Sequence, residues 1–313
     1  MNIGSIATHP GFSRIKLFLA LSRTPHGLLD MTTPALGAML WLGEIPAPHV
    51  VLLGLLTAFA GYTAVYALND VVDYRVDKEK IQRCGIPCSG NDLDAVYVRH
   101  PLAQGLLSLR EGIAWTAAWG AVALLGAYAL NPTCAKVFIL GCIAEAIYCL
   151  MLKVSYLRTM VSGAVKTAGG IAAVFAVTSE PSAIFMVNLF LWLFSWEVGG
   201  QNVPNDWSDV TEDRELDAET IPVRFGVDGS ASIIFHSLAV SIGLSLLLYW
   251  TTPAKLSPLY LPGALLAGVF LLLVPALALR KEKTSRSAAA LFNRASYYPL
   301  TMFIIVVLSS VFR

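Results

Sequence analysis

Two short stretches of the chain carry one acidic pattern. Asn69-Asp70-Val71-Val72-Asp73-Tyr74-Arg75-Val76-Asp77 and Asn205-Asp206-Trp207-Ser208-Asp209-Val210-Thr211-Glu212-Asp213 both read N-D-x-x-D-x-x-x-D, and the three aspartates recur at a constant offset of 136 residues. Aspartates at i, i+3 and i+7 fall on one face of a helix. Three carboxylates on one face repel each other unless a cation sits among them. Two such faces brought together form a cage of oxygen ligands suited to Mg²⁺. Mg²⁺ keeps waters and prefers to share its shell with phosphates, so the expected guest is a Mg²⁺–diphosphate. One acidic stretch alone reads equally well as a solvated helix end; the repetition at identical spacing argues for a built site.

The elements that must position these faces are membrane helices. Of the 313 residues 56% are hydrophobic and 14% charged, against about 25% charged in ordinary soluble domains. A core this apolar lacks the polar surface to cover itself in water, so the bilayer is its natural solvent. The net charge of +1 and the lack of a long basic block argue against a nucleic-acid partner. Nine apolar stretches approach the ~20 residues that cross a hydrocarbon core: 25–43, 48–69, 111–130, 134–153, 162–179, 182–200, 230–251, 257–279 and 296–312. The N-terminal segment, with Arg14, Lys16 and Arg23 around a short apolar run, reads as an amphipathic lead-in of the mature protein rather than a signal peptide.

Placing the N-terminus in the cytoplasm puts all 22 Lys and Arg residues on the cytoplasmic side except Lys136, Lys255 and Arg313, the bias of the positive-inside rule. Both long polar loops, roughly 70–110 and 201–229, then face the cytoplasm. Each acidic motif follows an even-numbered span with four spans between the two, so both lie on one membrane side. This is the signature of a parallel internal repeat, with copies at 25–153 and 162–279 and a final helix at 296–312. Of the five cysteines, Cys134, Cys142 and Cys149 sit in apolar segments as small hydrophobes. Cys84 and Cys88 bracket a polar loop without the further ligands of a zinc site.

On these motifs the chain resembles the UbiA-type intramembrane prenyltransferases, and the resemblance covers nearly the whole chain. It implies an all-α polytopic membrane fold of nine transmembrane helices around a central cavity, capped by cytoplasmic loops. Asn69, Asp70, Asp73 and Asp77 match the family's first motif; Asp206, Asp209 and Asp213 match the second, with Asn205 before it and Thr220-Ile221-Pro222 and Gly226 after it. Pro101-Leu102, Gly105 and Ser108 are similar to the family's R-P-L-x-x-G-x-x-S stretch. His100 stands where the family carries its arginine, with Arg99 one residue earlier, so Arg99 is the expected replacement and Arg83 the next. The segment Ile81–Val98 is longer than usual for the family. Tyr148 and Lys153 are one residue farther apart than the family's Tyr-x-x-x-Lys.

Further residues fit a site for a charged diphosphate and a small acceptor. Arg23 resembles the basic residue that opens the family's first helix and would reach a phosphate as a forked donor. Lys153 and Arg158, between spans four and five, would meet either the diphosphate or lipid headgroups. Lys166 and Glu145 lie at membrane depth, where ionisable groups face a polar interior. His26 and Asp30 form an i, i+4 pair, and Gln201 and Asn202 are expected to cap span six.

The implied chemistry is neutralisation of a leaving diphosphate by Mg²⁺ with Lys and Arg, ionisation of the allylic C–O bond, and capture of the sheltered cation by an acceptor. An intramembrane terpene cyclase would share the ionisation and capture its own cation. An ion-coupled transporter is disfavoured because its sites lie near the midplane rather than in loops. A non-catalytic assembly protein on the same scaffold is disfavoured by the two intact motifs.

Overall fold

The computed structural model describes residues 14–85 and 93–312, and its regular elements there are all helical. Cys88 and Arg313 lie outside the described residues. The chain opens with α1 (Arg14–Leu21), α2 (Thr24–Asp30) and α3 (Thr32–Leu42), followed by α4 (Pro48–Val72) and α5 (Tyr74–Cys84). A single turn of 3₁₀ helix at Leu93–Ala95 leads towards α6 (Leu109–Leu130), α7 (Pro132–Leu150) and α8 (Arg158–Val177). Next, α9 (Ala183–Trp196) runs through a π-helical turn (Glu197–Asn202) into α10 (Val203–Ser208) and α11 (Val210–Glu215). The remainder is α12 (Ile221–Thr251), α13 (Tyr260–Gly268), α14 (Val274–Glu282), α15 (Ser285–Ser296) and α16 (Tyr298–Val311).

Local chemistry explains the boundaries. Pro48 and Pro132 open α4 and α7 at positions where a backbone N–H would be unpaired anyway. Ser108 caps α6 through a reciprocal pair with Glu111, which accepts from the Ser108 backbone N–H at 2.8 Å. Gly226, at φ +65° and ψ −173°, breaks α12 in a region open only to glycine.

Among the described residues, eight helices are long and apolar enough to cross a membrane: 48–72, 109–130, 132–150, 158–177, 183–208, 221–251, 260–282 and 285–311. The first of the nine expected spans, 25–43, instead folds as α2 and α3, broken at Met31. Pro34 has no N–H to give to the Asp30 carbonyl, and the Thr33 hydroxyl donates to that carbonyl instead, at 2.9 Å. Gln201 and Asn202 do not cap a helix end: both lie inside the π turn, which continues into α10.

The outward faces of the long helices are apolar. Leu52, Leu125, Leu140, Ile184, Trp250 and Phe270 are among many large hydrophobic side chains left exposed by the fold. A continuous belt of this kind requires lipid rather than water, and the protein is an integral, multi-pass membrane protein. The tight core lies in the C-terminal half, where α9, α12, α13, α15 and α16 bury Trp192, Trp196, Tyr260 and Tyr298. The Trp196 indole N–H donates to the Ala295 carbonyl at 2.9 Å, so the ring is buried with its polar group satisfied.

A cavity opens between α2, α3, α4, α7 and α8, with the π turn, α10, α15 and α16 also contributing to its lining. One wall is fixed where α3 meets α8. A Cβ built on Gly37 would stand 2.6 Å from the Gly170 carbonyl oxygen, so backbone rather than a movable side chain fills the space. Gly37→Val should therefore lower stability by about 1–3 kcal/mol through forced separation of the helices. Gly54→Ala, with nothing within 4 Å of the added carbon, should cost nothing. Thermal unfolding of the solubilised variants measures both.

Candidate active site

Both acidic motifs bend at their middle aspartate. α4 ends at Val72 and α5 begins at Tyr74, leaving Asp73 at the joint; α10 ends at Ser208 and α11 begins at Val210, leaving Asp209 there. The same two backbone bonds hold each joint: Asp73 N to Asn69 O at 2.9 Å and Asp77 N to Asp73 O at 2.8 Å, matched by Asp209 N to Asn205 O at 3.3 Å and Asp213 N to Asp209 O at 2.9 Å. The helical run read from the spacing is thus interrupted at its centre, at the same position in both copies. All six aspartates line the same cavity.

A set of basic side chains answers this charge. Arg23 donates to Asn69 Oδ1 at 2.9 Å and Asp70 Oδ1 at 3.3 Å. Arg158 donates to Asp206 Oδ1 at 3.4 Å with its guanidinium 4.0 Å above the Tyr148 ring centroid. Arg99 grips Asp209 with both terminal nitrogens, at 2.6 and 3.2 Å. Lys80 bridges Asp209 at 3.2 Å and Glu212 at 2.7 Å. His100 Nδ1 lies 2.9 Å from Asp77 Oδ2 and 3.9 Å from Asp70 Oδ1. The expected substitution of Arg99 for the arginine before Pro101 is therefore divided. Arg99 serves the second motif and His100 the first.

Asp73 and Asp213 are partnered instead by neutral groups, the Cys149 thiol and the Thr220 hydroxyl, the latter donating at 3.2 Å. Burial first, and then the Asp77 charge, pushes the Asp73 carboxyl up to about 7. Burial and Asp206 do the same for Asp213, also to about 7. Asp209 behaves oppositely. Burial would raise it, but Arg99 and Lys80 outweigh that and hold it well below the usual carboxylate range.

Deeper in the cavity lies a second polar group. Lys166 donates to Asp30 Oδ2 at 2.6 Å and to the Tyr66 hydroxyl at 3.0 Å, and Tyr66 also donates to Asp30. His26 pairs with Asp94, which also sits 3.5 Å from Arg23. Glu145 accepts from Asn69 Nδ2 at 2.7 Å, Glu197 from Ser162 at 2.8 Å, and Asn202 donates to the Tyr148 hydroxyl at 3.0 Å. Arg23, Asn69, Arg99, Tyr148, Glu145, Arg158, Lys166 and Asn205 all line the cavity as their types suggested. Lys153 does not: it pairs with Glu79 at 2.9 Å on the exposed rim, outside the lining.

Sequence reasoning missed Lys80, Asp94, Tyr66 and Glu197. Lys80 falls one helical turn after Asp77, and that spacing was a usable signal. Asp94 follows no periodicity, and only the folding of its loop over α2 brings it to Arg23 and His26.

The stretch Pro101–Ser108 locks this loop. Leu102 and Leu107 are buried with Leu17, Leu21 and Ala67, and Gly105 takes φ +73° to turn the chain between them. His100 also sits at positive φ, +53°, a conformation that costs a non-glycine residue about 1 kcal/mol or more. The loop holds it there.

The cavity encloses about 710 Å³. From the aspartates it follows α4 back to Val50, where Met39, Leu55, Val137, Phe138 and Val177 make the lining apolar. Along α4 that is roughly 35 Å at 1.5 Å per residue. One end can hold polyanions through cations. The other can hold only hydrocarbon.

Residues 31–297 match the model of the UbiA prenyltransferase family. A relative from Thermococcus sibiricus, "Digeranylgeranylglyceryl phosphate synthase", is 27% identical over 231 residues, covering 73% of this chain and 75% of that protein. The fold is similar to a UbiA homologue from Aeropyrum pernix K1, with a TM-score of 0.70 at 17% identity, covering 90% and 97% of the two chains. It is also similar to a UbiA homologue from Archaeoglobus fulgidus bound to DMAPP and Mg²⁺, with a TM-score of 0.66 at 15% identity and coverage of 92% and 98%. With the family model spanning most of its length, this chain belongs to the UbiA prenyltransferase family.

Proposed function

We propose that the protein transfers a prenyl chain from a Mg²⁺-bound prenyl diphosphate to a small acceptor within the membrane. One observation carries the reading: six aspartates from two matching motifs line the charged end of a cavity whose far end is apolar. The homologue bound to DMAPP and Mg²⁺ has the same fold, and the Thermococcus relative's name makes an isoprenoid glyceryl phosphate the first product class to seek.

The donor set fits the ion. It is rich in carboxylate oxygen, the ligand Mg²⁺ prefers. One oxygen of Asp206 is buried without a hydrogen-bond partner, and burial with a neighbouring aspartate pushes Asp73 and Asp213 up to about 7. Asp70, Asp73 and Asp77 would hold it from one side and Asp206, Asp209 and Asp213 from the other. When bound, the ion neutralises the diphosphate and stabilises it as a leaving group.

The chain's own residues do the rest. Arg23, Arg99 and Arg158 supply forked donors for phosphate oxygens, and Asn69 and Asn205 add polar contacts beside them. The allylic C–O bond breaks with its electron pair leaving on the diphosphate. The walls keep water from the cation until the acceptor attacks and loses a proton. Lys166, Glu145 and Tyr148 face the space where that acceptor would sit. We read residues 25–153 and 162–279, with a final helix at 296–312, as a duplicated unit. The matching joints at Asp73 and Asp209 support this.

Asp73→Ala and Asp209→Ala should each lower Mg²⁺-dependent turnover by at least about 100-fold, with the solubilised fold intact. The double variant should be no worse than the poorer single one, since both remove one shared site. Assays of diphosphate release with and without EDTA measure this, and lipid mass spectrometry of a host lacking the gene identifies the product. Turnover that survives EDTA would sink the reading. A cyclised prenyl product formed without any acceptor would replace transfer with cyclisation.

The excess of Lys and Arg at the motif end orients that end to the cytoplasm. On a background with Cys84 and Cys88 replaced by serine, Asp217→Cys should label with a membrane-impermeant reagent only from the cytoplasmic side. Lys255→Cys should label only from outside. Both positions are exposed. Reversed labelling would overturn the orientation.

A further inference from the structure

His100 occupies the place of an arginine, and its geometry is that of a ligand rather than a donor. We propose that His100 joins Asp70 and Asp77 as a metal ligand of the first motif, a mixed nitrogen–oxygen set that binds a first-row divalent transition ion such as Mn²⁺ more tightly than an all-oxygen set would. The proposal deepens the reading of this cavity as a metal-dependent diphosphate site and rests on it for the site's location.

Three observations carry it. The imidazole and the two carboxylates each offer a ligand atom, and the three atoms lie within 4.8 Å of one another. His100 Nδ1 stands 2.9 Å from Asp77 Oδ2 and is buried without a hydrogen-bond partner among the described residues. A nitrogen and an oxygen this close without a hydrogen bond between them have the spacing of two ligands on one ion. Adjacent ligands on an octahedral ion with bonds of about 2.1 Å lie roughly 3 Å apart, and opposite ones roughly 4 Å. The separations of 2.9 Å to Asp77 and 3.9 Å to Asp70 match these two values.

The third observation is the backbone. His100 is held at φ +53°, and the flanking turn is locked by the buried Leu102 and Leu107. The ring is therefore presented to the carboxylates by the fold rather than by side-chain freedom. An arginine at this position has only donors and no lone pair to give. Histidine converts the first motif from an all-oxygen site into one with an imidazole. Imidazole favours transition ions over Mg²⁺, and affinity for nitrogen-containing sites rises along the first row. The second motif has no histidine beside it, so its share of the cage keeps the oxygen set that suits Mg²⁺.

Mn²⁺ is the probe, bound to the full-length solubilised protein without diphosphate and read by electron spin echo modulation and by titration of the free-ion EPR signal. The wild type should show ¹⁴N modulation from directly bound imidazole. His100→Asn and His100→Arg should lose it and weaken Mn²⁺ binding by at least about tenfold, while Mg²⁺ binding changes by less than about threefold. Thermal unfolding like the wild type qualifies each variant, and if neither folds, the wild-type spectrum alone decides. Bound Mn²⁺ without ¹⁴N modulation, or modulation that persists in either variant, overturns the assignment. Prenyl transfer assayed on the same preparations separates the two claims. Transfer without nitrogen coupling overturns the metal assignment alone. Coupling without transfer supports the assignment and overturns the transferase reading.

Discussion

Crowded negative charge at the mouth of a low-dielectric cavity is the constraint on which the rest of this structure depends. Six aspartates drawn from distant parts of the chain line that mouth, and buried carboxylates so close together repel strongly unless matched. The protein matches them unevenly. Arg23, Arg158, Arg99, Lys80 and His100 reach four of the six. Asp73 and Asp213 have only a thiol and a hydroxyl, and burial pushes both well above the ordinary carboxylate range. A further cation at that mouth would relieve the repulsion left on these two carboxylates.

The two halves of the molecule divide the work that follows. The C-terminal half packs large aromatic side chains into a tight core around α9, α12 and α16. The N-terminal half gives up packing to enclose the cavity, and α4, α6 and α7 bury little of their surface within the protein. In water such thin packing would be a liability. In lipid it costs little, because hydrocarbon outside a helix is as good a neighbour as hydrocarbon inside. Backbone contact at Gly37 and Gly170 then fixes the wall where side chains do not.

The loop after α5 ties the halves together at the charged end. Asp94 reaches α2 through Arg23 and His26, Arg99 reaches the second motif through Asp209, and His100 turns back to the first through Asp77. A single loop thereby touches both motifs and the start of α2. Arg99 is one residue away from His100 but pairs with the other motif through Asp209.

Much of this was legible in the residues alone, and the boundary of what was legible has a physical basis. Apolar stretch length, the spacing of aspartates along a helix, and the recurrence of one pattern 136 residues later are local properties, set by rise per residue and by hydrophobic periodicity. They determined the membrane class, the paired acidic site and the family. The break at Met31 was also local, since Pro34 cannot complete a helix through Asp30, yet mean apolarity concealed it. The partners of the charges were not local at all. Lys80 with Asp209, Arg99 with Asp209, Lys166 with Asp30 and Arg23 with Asp94 join residues far apart in the chain. Which cation meets which carboxylate is decided by how helices pack and how one loop folds over them. For that reason Lys153 fell outside the cavity while His100, passed over in favour of its neighbour, came to rest against two aspartates.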